Sequence, residues 1–153
     1  MENAVVISPD DIVFDIRSLF KCKWGCEQSE KKTIKCDTRG TKYEDRLKMI
    51  KSYEKILLIH SHNAQDVSKA IIEIERAAFL DGHHFAFGVR YCNLCADCKV
   101  MKGENCPTPE NIRPCEGIFS IDMFSTVRNL GLPINVLKNK DEQKNRYGFI
   151  LMY

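Results

Sequence analysis

The residues with the clearest chemical potential are four closely spaced cysteines in the second half of the chain. Three form a C-x2-C-x2-C run, and a fourth follows after seven residues and precedes a proline: Cys92, Cys95, Cys98 and Cys106. Two-residue gaps let a tight loop wrap several thiolates around one side of an iron–sulfur cubane, and a cysteine–proline pair is a familiar source of the last ligand. The spacing therefore predicts an iron–sulfur cluster here, of the [4Fe-4S] type.

Zinc is the alternative for these four thiolates, because four cysteines can also form a closed tetrahedral site. Zinc ribbons usually have two well-separated C-x2-C pairs, whereas three of these cysteines are crowded together. Nearby cations should stabilise the negative charge of a thiolate-ligated cluster. The run is flanked by four of them, Arg90, Lys99, Lys102 and Arg113. Spacing and charge both favour the cluster.

A second group of cysteines lies near the start of the chain, with C-x3-C and C-x9-C spacings: Cys22, Cys26 and Cys36. Three ligands require a fourth for a closed site, and Cys115 is the remaining thiol. These four residues predict a second cluster or metal site. Three thiolates alone would instead leave one iron open to a substrate, and unligated thiols in a basic loop are the third interpretation.

Composition restricts the setting of these cysteines. The chain has 153 residues, 8 of them cysteine, with 44% hydrophobic and 29% charged residues, as in a soluble globular domain. No basic region precedes an apolar one at the N-terminus, and no apolar run is long enough to span a bilayer. We therefore expect a cytoplasmic protein without a membrane partner, in which metal binding rather than disulfide bonding explains the cysteines.

A basic segment near the first cysteines contains the single tryptophan, Trp24. Its lysines are Lys21, Lys23, Lys31, Lys32 and Lys35. Such a pattern can stack on nucleic acid, but a docking surface for an acidic redox protein explains it equally well. The formal net charge of +2 is too small to indicate nucleic-acid binding. We expect a protein redox partner and no nucleic acid.

Ordinary α/β elements must position these cysteines. The pattern predicts an α/β (α+β) fold of one domain over residues 1–153, a small sandwich with a ferredoxin-like βαβ arrangement and helices on one face. Two cysteine-bearing metal loops span residues 22–41 and 91–116. The predicted strands cover residues 55–60, 84–89, 134–137 and 147–153, the predicted helices cover residues 43–53, 63–82 and 122–131, and residues 12–20 fit either a strand or a short helix.

The stretch from residue 91 to residue 131 resembles DUF2284, a family of predicted metal-binding proteins from prokaryotes. The family's C-x2-C-x2-C run and its later Cys-Pro correspond to residues 92–98 and 106–107. Its Arg-Pro segment and its Ile-Asp helix start correspond to residues 113–114 and 121–122. The upstream half, from Cys22 to the apolar run at residues 56–58, is similar as well, so the resemblance covers most of the chain.

Two positions depart from the family pattern. Cys36 is followed by Asp37 and Thr38 where the family usually has two prolines, and Cys115 stands where the family usually has serine. The resemblance implies metal binding of the iron–sulfur type, and it implies no reaction.

No familiar catalytic motif is present in the sequence. It has no G-x-G-x-x-G, P-loop, nucleophile elbow or H-E-x-x-H. The sequence therefore predicts an iron–sulfur protein that transfers electrons to a larger redox enzyme or serves as its accessory or maturation subunit. A zinc-stabilised binding module and a cluster enzyme with an open iron site are the alternatives, so catalysis stays an open question at this stage.

Overall fold

The computed structural model describes residues 1–26 and 33–153. Over these residues the strands are β1 (Asn3–Ile7), β2 (Ile56–Ser61), β3 (Phe87–Val89) and β4 (Arg146–Leu151). The helices are α1 (Ile16–Gly25), α2 (Tyr43–Lys51), α3 (Ala64–Leu80) and α4 (Met123–Asn129). Single 3-10 turns occupy Pro9–Asp11, Ile34–Cys36, Lys99–Lys102, Pro109–Asn111 and Glu116–Phe119.

The four strands form one antiparallel sheet in the order β1-β2-β4-β3. β4 is the central partner, since Phe149 pairs with Leu58 of β2 on one side and with Val89 of β3 on the other. β2 and β3 consequently run in the same direction with β4 between them, and α3 connects them. This is a split β-α-β unit, the element that defines ferredoxin-like folds. The mixed α/β fold expected from the sequence is confirmed.

Both faces of the sheet are covered by helices. On one face, Val67 and Ile71 of α3 pack against Ile59 and Ile150. On the other face lies the larger core, to which the strands contribute alternate side chains such as Phe149 and to which α2, α4 and the turn at Glu116–Phe119 also contribute. The prediction of helices on one face was therefore wrong. The central strands are apolar on both sides, and each side has to be buried.

Two glycines bring α3 unusually close to the sheet. A Cβ atom on Gly148 would lie 2.6 Å from Cδ1 of Ile71 and 3.0 Å from Cγ1 of Val67. A Cβ atom on Gly88 of β3 would overlap the same isoleucine. The missing side chains at these two positions set the distance between α3 and the strands beneath it.

The helix predicted over residues 63–82 is confirmed, with Asn63 as its N-cap. The helices at residues 43–53 and 122–131 are also present in shorter form. β1 was missed. Residues 134–137 form no strand, because none of the described residues pairs with them, although Ile134 is buried in the core.

The described residues at the start of the first cysteine loop belong to a helix. Residues 12–20 resolve into an extended segment followed by α1, which Asp15 caps by accepting from the Arg17 amide at 2.9 Å. The Arg17 side chain also holds the pKa of Asp15 at about 2. The predicted irregular loop at residues 22–41 was wrong in its first part, since residues 22–25 belong to α1. Residues 27–32 of that loop, including Lys31 and Lys32, lie outside the described residues.

Among the described residues, no helix has the length and apolar character needed to cross a membrane.

Candidate metal centre

The four cysteines of the central run surround one cavity of about 450 Å³. Its wall is formed by the loop that follows β3 and by the 3-10 turns after it. Three of the cysteines are half-buried, and Cys95 is exposed. Sequence reasoning named these four residues as one ligand set, and the fold places them around one space: Cys92, Cys95, Cys98 and Cys106.

The first turns of α3 hold the central loop in place. The amide of Asn93 donates to Oγ of buried Ser68 at 3.0 Å, and Nε2 of Gln65 donates to the carbonyl of Leu94 at 2.9 Å. At the base of the loop, the Tyr91 amide donates to Oε2 of Glu116 at 3.1 Å. Backbone groups between the cysteines are thereby fixed to a helix of the core, so the ligand spacing depends on the position of α3.

Lys35 is a candidate site residue that sequence reasoning did not single out. It is only 5% exposed, and its Nζ lies 4.0 Å from Sγ of Cys98 and 4.1 Å from the centroid of the Tyr91 ring. A buried ammonium group is costly unless an anion compensates it. Among the residues that the structure describes, no carboxylate pairs with Lys35. The groups available to compensate its charge are therefore the cysteine sulfurs, once deprotonated, and the face of the tyrosine ring.

The flanking cations predicted from the sequence have other roles. Arg113 forms a bidentate ion pair with Glu75, in which Nε and Nη2 lie 2.7 and 2.6 Å from the two carboxylate oxygens. Nη1 of Arg90 lies 3.3 Å from Oε1 of Glu116. Lys102 forms an exposed pair with Asp97, and Lys99 is exposed. The two arginines fix the segment that leads into Cys115, and their charges are compensated by carboxylates. Lys35 could have been distinguished only by its burial, which its local sequence does not reveal.

One of the N-terminal cysteines, Cys22, lies beside Cys115. Cys22 lies on α1, Cys26 caps the C-terminus of that helix, Cys36 ends a 3-10 turn, and Cys115 begins the turn at Glu116–Phe119. Gly117 marks the meeting point, since a Cβ atom there would lie 3.0 Å from Sγ of Cys22 and 3.7 Å from Sγ of Cys115.

Mutual contact between these thiols shifts their pKa values. A hydrogen bond from Cys115 holds the pKa of Cys22 at about 7, against the opposing effect of burial. The same hydrogen bond and burial raise the pKa of Cys115. Burial also raises the pKa of Cys36, and the charges of Cys26 and Cys22 raise it further. Within the central group, burial is the main cause that raises the pKa of Cys92.

The backbone around Cys115 is fixed from α2. Arg46 is buried, and it donates from Nε to the carbonyl of Ile118 at 2.7 Å and from Nη1 to the carbonyl of Thr41 at 2.6 Å. Tyr43 shares a 2.9 Å hydrogen bond with the hydroxyl of Ser120. These contacts fasten the turn that follows Cys115 to the core.

The histidines do not join either cysteine group. His60 stacks on Tyr147 and contacts Oδ1 of Asn145 at 2.8 Å, while His62 contacts the carbonyl of Lys144. Within residues 1–26 and 33–153, no three Cys, His, Asp or Glu side chains converge on a point as ligands of one ion do.

The donor set of the central cavity suits a thiolate-ligated group. Its four sulfurs are spread over the walls of the cavity, and the cation beside Cys98 matches the negative charge that four thiolates bring. The residues present thus fit an iron–sulfur cluster, whose ligands surround a body wider than a single ion.

Comparison with known proteins gives one assignment. Neither a curated protein nor a solved structure matches the chain significantly. A family model described as a predicted metal-binding protein matches residues 5–152, a range that contains both cysteine groups. The chain therefore belongs to the DUF2284 family of predicted metal-binding proteins.

Proposed function

We propose that the protein binds a [4Fe-4S] cluster through Cys92, Cys95, Cys98 and Cys106. In this proposal it transfers electrons to a larger redox enzyme or serves as an accessory or maturation subunit of that enzyme. When bound, such a cluster supplies one-electron transfer. The observation that carries the proposal is the buried Lys35 ammonium 4.0 Å from Sγ of Cys98, at a cavity lined by all four cysteines.

The chain's own residues would hold the site and adjust its charge. Lys35 supplies a fixed positive charge that favours an additional electron nearby. Ser68 and Gln65 hold the loop backbone between the cysteines. Cys95 is the exposed cysteine of this group.

The outer face of α1 supports an acidic redox protein as the partner. Phe20 and Trp24 stack with ring centroids 5.3 Å apart, and they are 46% and 82% exposed. Lys21 and Lys23 are exposed on the same helix. Exposed aromatic residues within a basic surface fit a partner with an acidic rim, because opposite charges steer association.

A reducing cytoplasm suits the cysteines, because all eight are present as free thiols. Thiols persist in that compartment and remain available to a metal. We therefore place the protein in the cytoplasm as part of the same proposal.

Anaerobic purification followed by iron, acid-labile sulfide and zinc analysis tests the central assignment. We expect a brown protein with at least about four iron and four sulfide per chain and a reversible redox signal. The Cys95→Ser and Cys98→Ser double variant should lose about four of each. A colourless wild-type protein with stoichiometric zinc would contradict the proposal and favour the zinc-stabilised binding module.

A further inference from the structure

The N-terminal cysteines and Cys115 lie on separate segments, yet the fold brings Cys22 against Cys115. We propose that Cys22, Cys26, Cys36 and Cys115 form a second thiolate-ligated metal centre, separate from the central one. The inference extends the proposed function, and it rests on it only in treating the chain as a protein that binds metal through thiolates.

Contact between Cys22 and Cys115 is the first support. Both sulfurs lie against the backbone of Gly117, at 3.0 and 3.7 Å from the position that a Cβ atom would take. One sulfur comes from α1 and the other from the start of a 3-10 turn that packs against α1. A side chain at position 117 would press on Cys22, so the glycine leaves room for both sulfurs.

The geometry of α1 places a third thiol, that of Cys26, near Cys22. Cys22 and Cys26 are four positions apart at the C-terminal end of α1, a spacing that places two side chains on the same helix face. Cys36, at the end of its own 3-10 turn, is close enough to both that their charges raise its pKa. Cys36 therefore lies within electrostatic range of the two thiols of α1, and Cys22 connects this group to Cys115.

The two cysteine groups are distinct but adjacent. Lys35 directly precedes Cys36 in the chain, and its Nζ reaches Cys98 of the central group. Lys35 therefore links the 3-10 turn that ends at Cys36 to the central group.

Four thiolates accept either an iron–sulfur cluster or zinc, and both are thiophilic metal centres of the same donor chemistry. A second cluster would make the chain a two-centre electron relay. With zinc, the second centre would be a structural zinc site that links α1 to the turn after Cys115. The experiment has to detect the centre and then separate these two forms.

Paired variants of the full chain, purified anaerobically, test the proposal. One carries Cys22→Ser and Cys115→Ser, and the matched control carries Cys95→Ser and Cys98→Ser. Iron, sulfide and zinc are measured per chain beside the absorption spectrum. We expect the first variant to lose about four iron and four sulfide, or one zinc, and to keep the central cluster. The control should show the reverse loss.

Unchanged metal content in the Cys22→Ser and Cys115→Ser variant would overturn the second centre, while the central cluster would stand. A wild-type chain with two fewer titratable thiols and no second metal would also overturn it, since that result indicates a Cys22–Cys115 disulfide. If circular dichroism shows that the variant does not fold, the metal content of the wild-type protein tests the proposal instead. About four iron without zinc contradicts the proposal, and about eight iron, or four with one zinc, supports it. No metal in the wild type would instead refute the proposed function itself.

Discussion

At the scale of single residues, Lys35 is the group whose position says most about the central cavity. Its ammonium is buried and faces Cys98 and the Tyr91 ring, whereas Arg90 and Arg113 are paired with glutamates. A fixed charge that is shielded from water acts on a neighbouring redox group more strongly than one on the surface. A residue outside the cysteine motif thus places a buried charge beside the central cysteines.

Replacement of this charge should lower the reduction potential of the proposed central cluster. In the Lys35→Gln variant the reduced state loses a nearby cation, so the potential should become more negative. We expect a shift on the order of 59 mV, equivalent to a tenfold change in a one-electron equilibrium. Spectroelectrochemical titration measures it. The matched control is Lys102→Gln, because Lys102 is exposed and paired with Asp97. A control shift as large as that of Lys35→Gln would contradict this role.

At the scale of elements, α3 supports the central loop from its first two turns. Asn63 caps the helix by accepting from the amides of Gln65 and Asp66, at 2.8 and 3.4 Å. Gln65 and Ser68 then reach the loop backbone. The cap and the loop are consequently part of one structural unit.

Loss of this cap should weaken both parts of the unit. Asn63→Ala removes the acceptor, and we expect it to lower the free energy of unfolding by about 1 kcal/mol. Urea unfolding measures the change, and hydrogen exchange of the amides at residues 92–95 should become faster. Asn63→Asp keeps an acceptor at the cap and should preserve most of the stability. Equal destabilisation by both substitutions would show that the cap is not the cause.

The basic face of α1 makes a second prediction at this scale. Removal of two charges in the Lys21→Gln and Lys23→Gln variant should slow oxidation of the reduced protein by ferricyanide a few-fold at low salt, and the difference should vanish at high salt. Stopped-flow absorbance measures the rate. Lys138→Gln with Lys140→Gln removes the same charge from another exposed segment. If that control slows the reaction equally, net charge rather than α1 steers the oxidant.

At the scale of the whole molecule, the helix layer formed by α3 depends on how closely this helix approaches the sheet. Gly148 of the central strand leaves space that Ile71 and Val67 occupy. The position of α3 in turn sets the position of the loop that carries Cys92 and Cys95, so packing beneath the helix reaches the cavity.

The Gly148→Ala variant should overpack this layer. Its methyl group meets Cδ1 of Ile71, and we expect a loss of about 1–3 kcal/mol in the free energy of unfolding. Ile71→Val removes the clashing carbon, so the double variant should be more stable than the sum of the two single effects predicts. Chemical denaturation of the four proteins in this cycle measures the coupling. Strict additivity would mean that the strain is relieved elsewhere.

The sequence alone predicted the features that depend on nearby residues, namely the central set of cysteines and the helix α3. The central ligand set depends on spacings of two and seven residues, and α3 is specified by its apolar period and its Asn63 cap. The sequence did not predict β1, because its residues are mostly exposed at the edge of the sheet. This segment is a strand because it pairs with β2, not because of its composition.

Tertiary structure alone decided the relations across long separations. The approach of Lys35 to Cys98 joins residues 63 positions apart, and the contact of Cys22 with Cys115 near Gly117 depends on α1 packing against a distant 3-10 turn. Burial of both sheet faces, which placed helices on each side, likewise arises from packing. Spacing along the chain governs only what a loop or one helix can bring together. Contacts between segments depend on how the whole core is filled, and no local pattern encodes that.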